Sequence, residues 1–97
     1  MPTYIALIDW TQQGIEAFKD SPSRADAAAE LMESLGGQMT NIWWTMGGHD
    51  IVAVVDAPDD EAVAAFLLAA GAQGNIRTTT LRAFTREEFE SIVERTG

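Results

Sequence analysis

No cysteine occurs in the chain, and that absence removes disulfide bonds, thiolate metal sites, iron–sulfur clusters and cysteine nucleophiles together. The core must therefore hold by packing. A single histidine, His49, leaves too few nitrogen ligands for an ordinary zinc site, so neither a metal nor another cofactor is expected. Basic residues are scarce as well: six stand against fifteen acidic ones, for a formal charge of −9. A field of that sign repels phosphate backbones and anionic lipid surfaces over a Debye length of about 8 Å, which argues against nucleic-acid and membrane partners. No apolar run approaches the ~20 residues of a membrane span, and no Lys/Arg-led segment precedes an apolar stretch of secretory length, so a cytoplasmic location is expected. Gly36-Gly37 and Gly47-Gly48 lack the flanking patterns of phosphate-cradling or dinucleotide loops, and no nucleophile elbow is present.

What remains is one domain's worth of apolar material. Independent cores need on the order of 50 residues each, so residues 1–97 are read as a single domain. With 46% hydrophobic residues, a domain of this size can build a core yet leave apolar area uncovered, because it buries only about two-thirds of its unfolded surface. Self-association is the natural consequence.

Residues 3–10, TYIALIDW, read as a first strand with apolar residues on both faces, followed by an irregular or single-turn connector, TQQGIEAFKD. SPSRADAAAELMESLGG reads as a helix, with Ser21 placed to cap, Pro22 at its first position and Gly36 at its end. Ala28, Leu31, Met32 and Leu35 form its buried stripe. Residues 38–45 and 50–57 read as strands joined through Met46-Gly47-Gly48-His49. Ile51 to Val55 is continuously apolar, the pattern of a strand covered on both faces. Pro58, Asp59, Asp60 and Glu61 open a second helix with Ala62, Phe66, Leu67 and Ala70 inward. Residues 75–84 read as a Thr-rich strand, and Thr85 with Glu88 forms a capping box for a last helix bearing Phe89, Ile92 and Val93.

The order βαββαβ with a C-terminal helix predicts a ferredoxin-like α+β fold, two helices covering one face of a four-stranded antiparallel sheet. The other face is left bare. A second copy packed sheet to sheet is the simplest cover, so a homodimer or higher homo-oligomer is expected.

YIALIDWTQQGI, KDSPSRADAA, GG followed by WTMGGHD, APDDEAVAAFLLAAGAQGN and IRTTTLRAFT, taken in order, resemble the GYD-domain family over roughly residues 3–94. The Gly-Tyr-Asp triplet that names the family falls on Gly48, His49 and Asp50, with histidine in place of tyrosine. The resemblance implies a ferredoxin-like unit that dimerises as the dimeric α/β-barrel proteins do, a group that includes cofactor-free monooxygenases, muconolactone isomerases, haem-degrading enzymes and sensory domains. It implies no activity.

His49 and Asp50 are the candidate catalytic residues, since imidazole and carboxylate can share general-base work. Adjacent residues on a strand point to opposite faces, so cooperation needs a bulge or turn there, and the competing reading has Asp50 accepting backbone hydrogen bonds beside a partly exposed His49. Trp10 and Trp44 are candidates to line a ligand site or to pack, and Trp43 should face away from Trp44. Arg82 is the candidate anion-binding residue. Arg77 and Arg82 should lie on opposite sides of the sheet, and pairing of the arginines with Asp9, Asp50 or Asp56 is the structural alternative.

Three functional readings follow. The first is an oligomeric module that binds a small apolar or aromatic ligand between sheet and helices. Next is a cofactor-independent monooxygenase or isomerase using His49 or Asp50 as base, Trp44 as shield and Arg82 to steady negative charge. Last is a protein that only assembles, its interior filled by its own side chains.

Overall fold

Period-two alternation governs the sheet. In β1 (Thr3–Trp10), Tyr4, Ala6 and Ile8 are buried, and in β3 (Ile51–Asp56), Ile51, Ala53 and Val55 are buried, while the residues between them are not. The computed structural model describes residues 1–97. The other elements are α1 (Gln12–Glu16), a 3₁₀ turn (Phe18–Asp20), α2 (Ser21–Ser34), β2 (Gln38–Trp44), α3 (Asp60–Ala72), β4 (Ile76–Ala83) and α4 (Arg86–Glu94). The strands form one antiparallel sheet in the order β2-β3-β1-β4, a ferredoxin-like α+β fold. No helix is long and apolar enough to cross a membrane.

The connector after β1 is more ordered than expected. Thr11 caps α1 by accepting from the Gly14 amide at 3.1 Å, and its own hydroxyl donates to the Gly74 carbonyl at 2.6 Å, fastening this turn to the segment before β4. Ser21 is not a cap. The chain enters α2 through the preceding 3₁₀ turn, with Asp20 already helical (φ −88, ψ −3), so Ser21 lacks the extended backbone that capping requires and becomes a buried first helical residue. Asp59 does cap α3, accepting from the Ala62 amide at 2.9 Å. Helix α3 runs through Gly71 and stops where Gly74 adopts φ +86. The capping box Thr85–Glu88 forms at the start of α4.

Two clusters make the core on the helix-covered face. Tyr4, Val55 and Ala57 pack with Met32 of α2 and with Val63 and Phe66 of α3; Ala6, Ile8, Ile51 and Ala53 form the second group, flanked by Trp10, Ile42 and Ile76. Burying a side chain such as Met32 or Val55 completely contributes about 1.5–3 kcal/mol each.

No segment of the chain covers the opposite face, where the register aligns Ile5 with Val54 and Leu81, Leu7 with Val52, and Val52 with Trp43. Trp43 and Leu81 are about half exposed, at 51% and 46%. Helix α4 packs little against the body, and Phe84, Phe89 and Val93 are all about half exposed. The molecule is accordingly elongated, with a radius of gyration of 14.5 Å, where a compact chain of this length would have about 12.5 Å.

Candidate functional site

A recess lies between the second core cluster and helices α2 and α3. Alanines create it: Ala6 and Ala53 on the sheet, Ala25 and Ala28 on α2 and Ala70 on α3 all face it, and their short side chains leave a volume of about 70 Å³. A groove of about 290 Å³ between α2 and α3 adjoins it, sharing Arg24, Ala28, Ala70 and Ile76. The walls are apolar apart from a few groups, of which Trp10 and Arg24 matter most.

Trp10 ends β1 opposite Ile76. Its ring packs over Gly14, where an added Cβ would come within 3.2 Å of the indole and 2.0 Å of the Asn75 carbonyl oxygen. Arg24 donates from Nη1 to the Ala17 carbonyl at 3.0 Å, which fixes the guanidinium at the seam between the 3₁₀ turn and α2. Arg24 Nη2 and Trp10 Nε1 are both buried, and neither has a hydrogen-bond partner within the protein. Sequence reading passed over Arg24. Its signal was its place one turn before Ala28 on the stripe that continues through Leu31 and Met32, a charged residue on an inward helical face.

Of the residues singled out from sequence, Trp10 alone lines the recess; His49, Asp50, Trp44 and Arg82 lie elsewhere. The connection between β2 and β3 spans residues 45–50, longer than expected, and closes through the Thr45 amide to the Asp50 carbonyl at 2.8 Å and the Thr45 hydroxyl to the His49 carbonyl at 2.7 Å. Gly47 takes φ +106, a left-handed conformation that side chains disfavour. Because residue 50 is still outside the strand, His49 and Asp50 are not bound to strict alternation, yet they do not pair. Asp50 Oδ2 accepts from the Trp10 amide at 2.9 Å, and Nδ1 of His49 lies 3.0 Å from Oδ1 of Asp9.

Trp44 lies on the helix-covered side, opposite Ile51, and its Nε1 donates to the Ser21 hydroxyl at 2.9 Å; Trp43 faces the bare side. A bulge at Thr40 decides this. It shifts the register between Met39 and Asn41, so that Ile42 and Trp44 share the face of Met39 where unbroken alternation would have given that face to Trp43.

Arg82 sits at the far end of the sheet beside Tyr4, its guanidinium 5.6 Å from the Tyr4 ring centroid, 4.5 Å from that of Phe84 and 3.9 Å from Glu88. Neither Arg77, Arg82 nor Arg86 pairs with Asp9, Asp50 or Asp56: Asp9 takes His49, Asp50 takes a backbone amide, Asp56 takes the Thr3 hydroxyl, and Arg86 pairs along α4 with Glu90. The Tyr4 hydroxyl donates to Asp60, and this bond, with burial adding to it, raises the phenol above its ordinary pKa. The Thr85 amide bonded to Glu88, helped by the Thr85 side chain and Arg82, holds that carboxyl below the usual range despite some desolvation. No cluster of three or more His, Asp or Glu side chains is arranged to hold a metal ion.

The family model described as "GYD domain" matches residues 4–93. A protein from Thermus thermophilus named glutamine synthetase and cystathionine beta-lyase binding protein is 33% identical over 84 residues, covering 86% of this chain and 88% of that one. Among solved structures, TTHA0845 from Thermus thermophilus is 25% identical with a TM-score of 0.55, over 88% of this chain and 95% of that one. The fold is also similar to that of MtbAldR, at 14% identity and TM-score 0.67 over 88% of this chain and 52% of the other. A further neighbour is 5-chloro-2-hydroxyhydroquinone dehydrochlorinase from Burkholderia phenoliruptrix AC1100, complexed with 2,5-dihydroxybenzoquinone, at 13% identity and TM-score 0.61 over 90% and 97% of the two chains.

Proposed function

The chain belongs to the GYD-domain family, and from that membership and the geometry above we propose that it is a self-associating module that binds a small, largely apolar molecule between its sheet and helices. The observation that carries the proposal is the uncovered sheet face of Ile5, Leu7, Val52, Val54, Trp43 and Leu81. A contiguous apolar surface of that kind costs free energy in water, and a second sheet packed on it at about 10 Å removes the cost. Four strands about 4.8 Å apart and some 20 Å long offer on the order of 400 Å². That is about half of what one partner contributes to a standard interface. Covering the sheet leaves the recess on the helix side open to a ligand through the groove between α2 and α3.

Native mass spectrometry of freshly purified protein, with sedimentation velocity at micromolar concentration, tests the self-association. The expected result is a dimer or larger ring. A monomer would overturn the self-association.

A second reading has the module bind a metabolic enzyme, as the name of its Thermus relative says of that protein. The observation favouring it is the exposed apolar stripe of α4, Phe89 and Val93, on an element that packs little against its own protomer. Co-sedimentation with purified glutamine synthetase, lost in a Phe89→Ser/Val93→Ser variant, would support it; no co-sedimentation would reject it.

A further inference from the structure

We infer that the recess takes a small monocarboxylic acid, its carboxylate received by Nη2 of Arg24 and Nε1 of Trp10 and its apolar body set against Ile8, Ile51, Phe66 and Ile76. The inference rests on the small-ligand reading above and gives that ligand its chemical class.

Two buried donors without acceptors, one of them cationic, belong to side chains that line the same apolar recess. Leaving a buried N–H unpaired is costly, and more so when the group is charged. A chain with fifteen acidic residues has ample means to neutralise an arginine, yet its three ion pairs involve His49, Arg82 and Arg86, and none reaches Arg24. The cation is thus presented to the recess with no protein carboxylate on it. The charge that complements it is an anion.

Size and lining narrow the anion. A phosphate carries more charge than one guanidinium nitrogen and one indole offset, whereas a carboxylate has two oxygens and a single charge, matching two N–H donors of which one is cationic. A dry cavity that holds benzene measures about 150 Å³. The recess, at about 70 Å³, admits a short branched chain or the edge of one ring, with the rest of the molecule lying in the 290 Å³ groove. Arg24 lines both spaces, at the junction where a carboxylate would sit while its body lies on either side. Ser21 also borders the recess, and its hydroxyl oxygen accepts from the Trp44 indole.

The test is a titration of the full chain with benzoate and 4-methylpentanoate beside their uncharged counterparts, benzamide and 4-methylpentanamide, read by tryptophan fluorescence and calorimetry. The acids are expected to bind with dissociation constants of about 1 mM or below and at least about tenfold more tightly than the amides. Arg24→Gln should abolish that preference and Arg24→Lys restore part of it. Should Arg24→Gln fail to fold, Trp10→Phe, which removes the indole N–H and keeps an aromatic ring, should weaken the acids about fivefold or more and the amides by less. Amides that bind as tightly as acids would overturn the carboxylate assignment while leaving the small-ligand reading in place. If neither acids nor amides bind at about 10 mM, both fall.

Discussion

Nδ1 of His49 stands 3.0 Å from Oδ1 of Asp9, a residue 40 positions earlier, while the neighbouring Asp50 turns to the Trp10 amide. The two residues of the turn thus tie it to the end of β1 by separate bonds of unequal weight. Both members of the His49–Asp9 pair are more than a third exposed, so solvent screens it, and His49→Ala should cost less than about 1 kcal/mol. Asp50→Ala leaves a partly buried amide without its charged acceptor and should cost about 1–3 kcal/mol. Urea denaturation midpoints at unchanged slope measure the difference; equal losses would contradict it.

Glycine at position 14 is required by space, and glycine at position 48 is not. A Cβ on Gly14 would lie 2.0 Å from the Asn75 carbonyl oxygen, on backbone that cannot swing aside, whereas one on Gly48 meets nothing within 4 Å. Gly14→Ala should therefore destabilise by more than about 2 kcal/mol. Gly48→Ala should remain within about 0.5 kcal/mol, although Gly48 begins the family's triplet. Thermal unfolding of both variants checks the contrast.

Acid should loosen α4 before it unfolds the body. Glu88 has a lowered folded pKa, so its ionised form contributes stability that is fully present above the ordinary value of 4.5 and is lost as pH falls through the lowered one. The groups responsible, the Thr85 amide and hydroxyl and Arg82, all act on the N-terminus of this helix. Amide chemical shifts of residues 85–94, followed by NMR below pH 4.5, should move ahead of those in β1 and β3, and Glu88→Gln should remove that early phase.

The proposed self-association predicts that charge placed on the bare face prevents assembly without harming the single chain. Trp43 and Leu81 are half exposed and lie on opposite strands of that face, so lysine at both positions buries nothing new in the monomer. In a sheet-to-sheet dimer the same lysines would be desolvated without partners, at a cost of several kcal/mol. Trp43→Lys/Leu81→Lys should sediment as a monomer with near-native circular dichroism. A variant that stays dimeric would place the contact elsewhere.

The sequence alone determined the elements and their order. Apolar alternation in β1 and β3, Gly74 after α3 and the Thr85–Glu88 box act within a few residues, through backbone propensity and local hydrogen bonding, and so they can be read locally. Where local signals competed, as at Ser21, a helical lead-in won over a capping residue. The tertiary structure decided which faces and which partners: the Thr40 bulge turned Trp44 and not Trp43 toward the helices, Asp9 rather than Asp50 received His49, and five alanines from four elements left the recess on which Arg24 and Trp10 converge. Cavity shape and ion pairing depend on summed side-chain volumes and on contacts between residues far apart in the chain, and no window of sequence contains those sums.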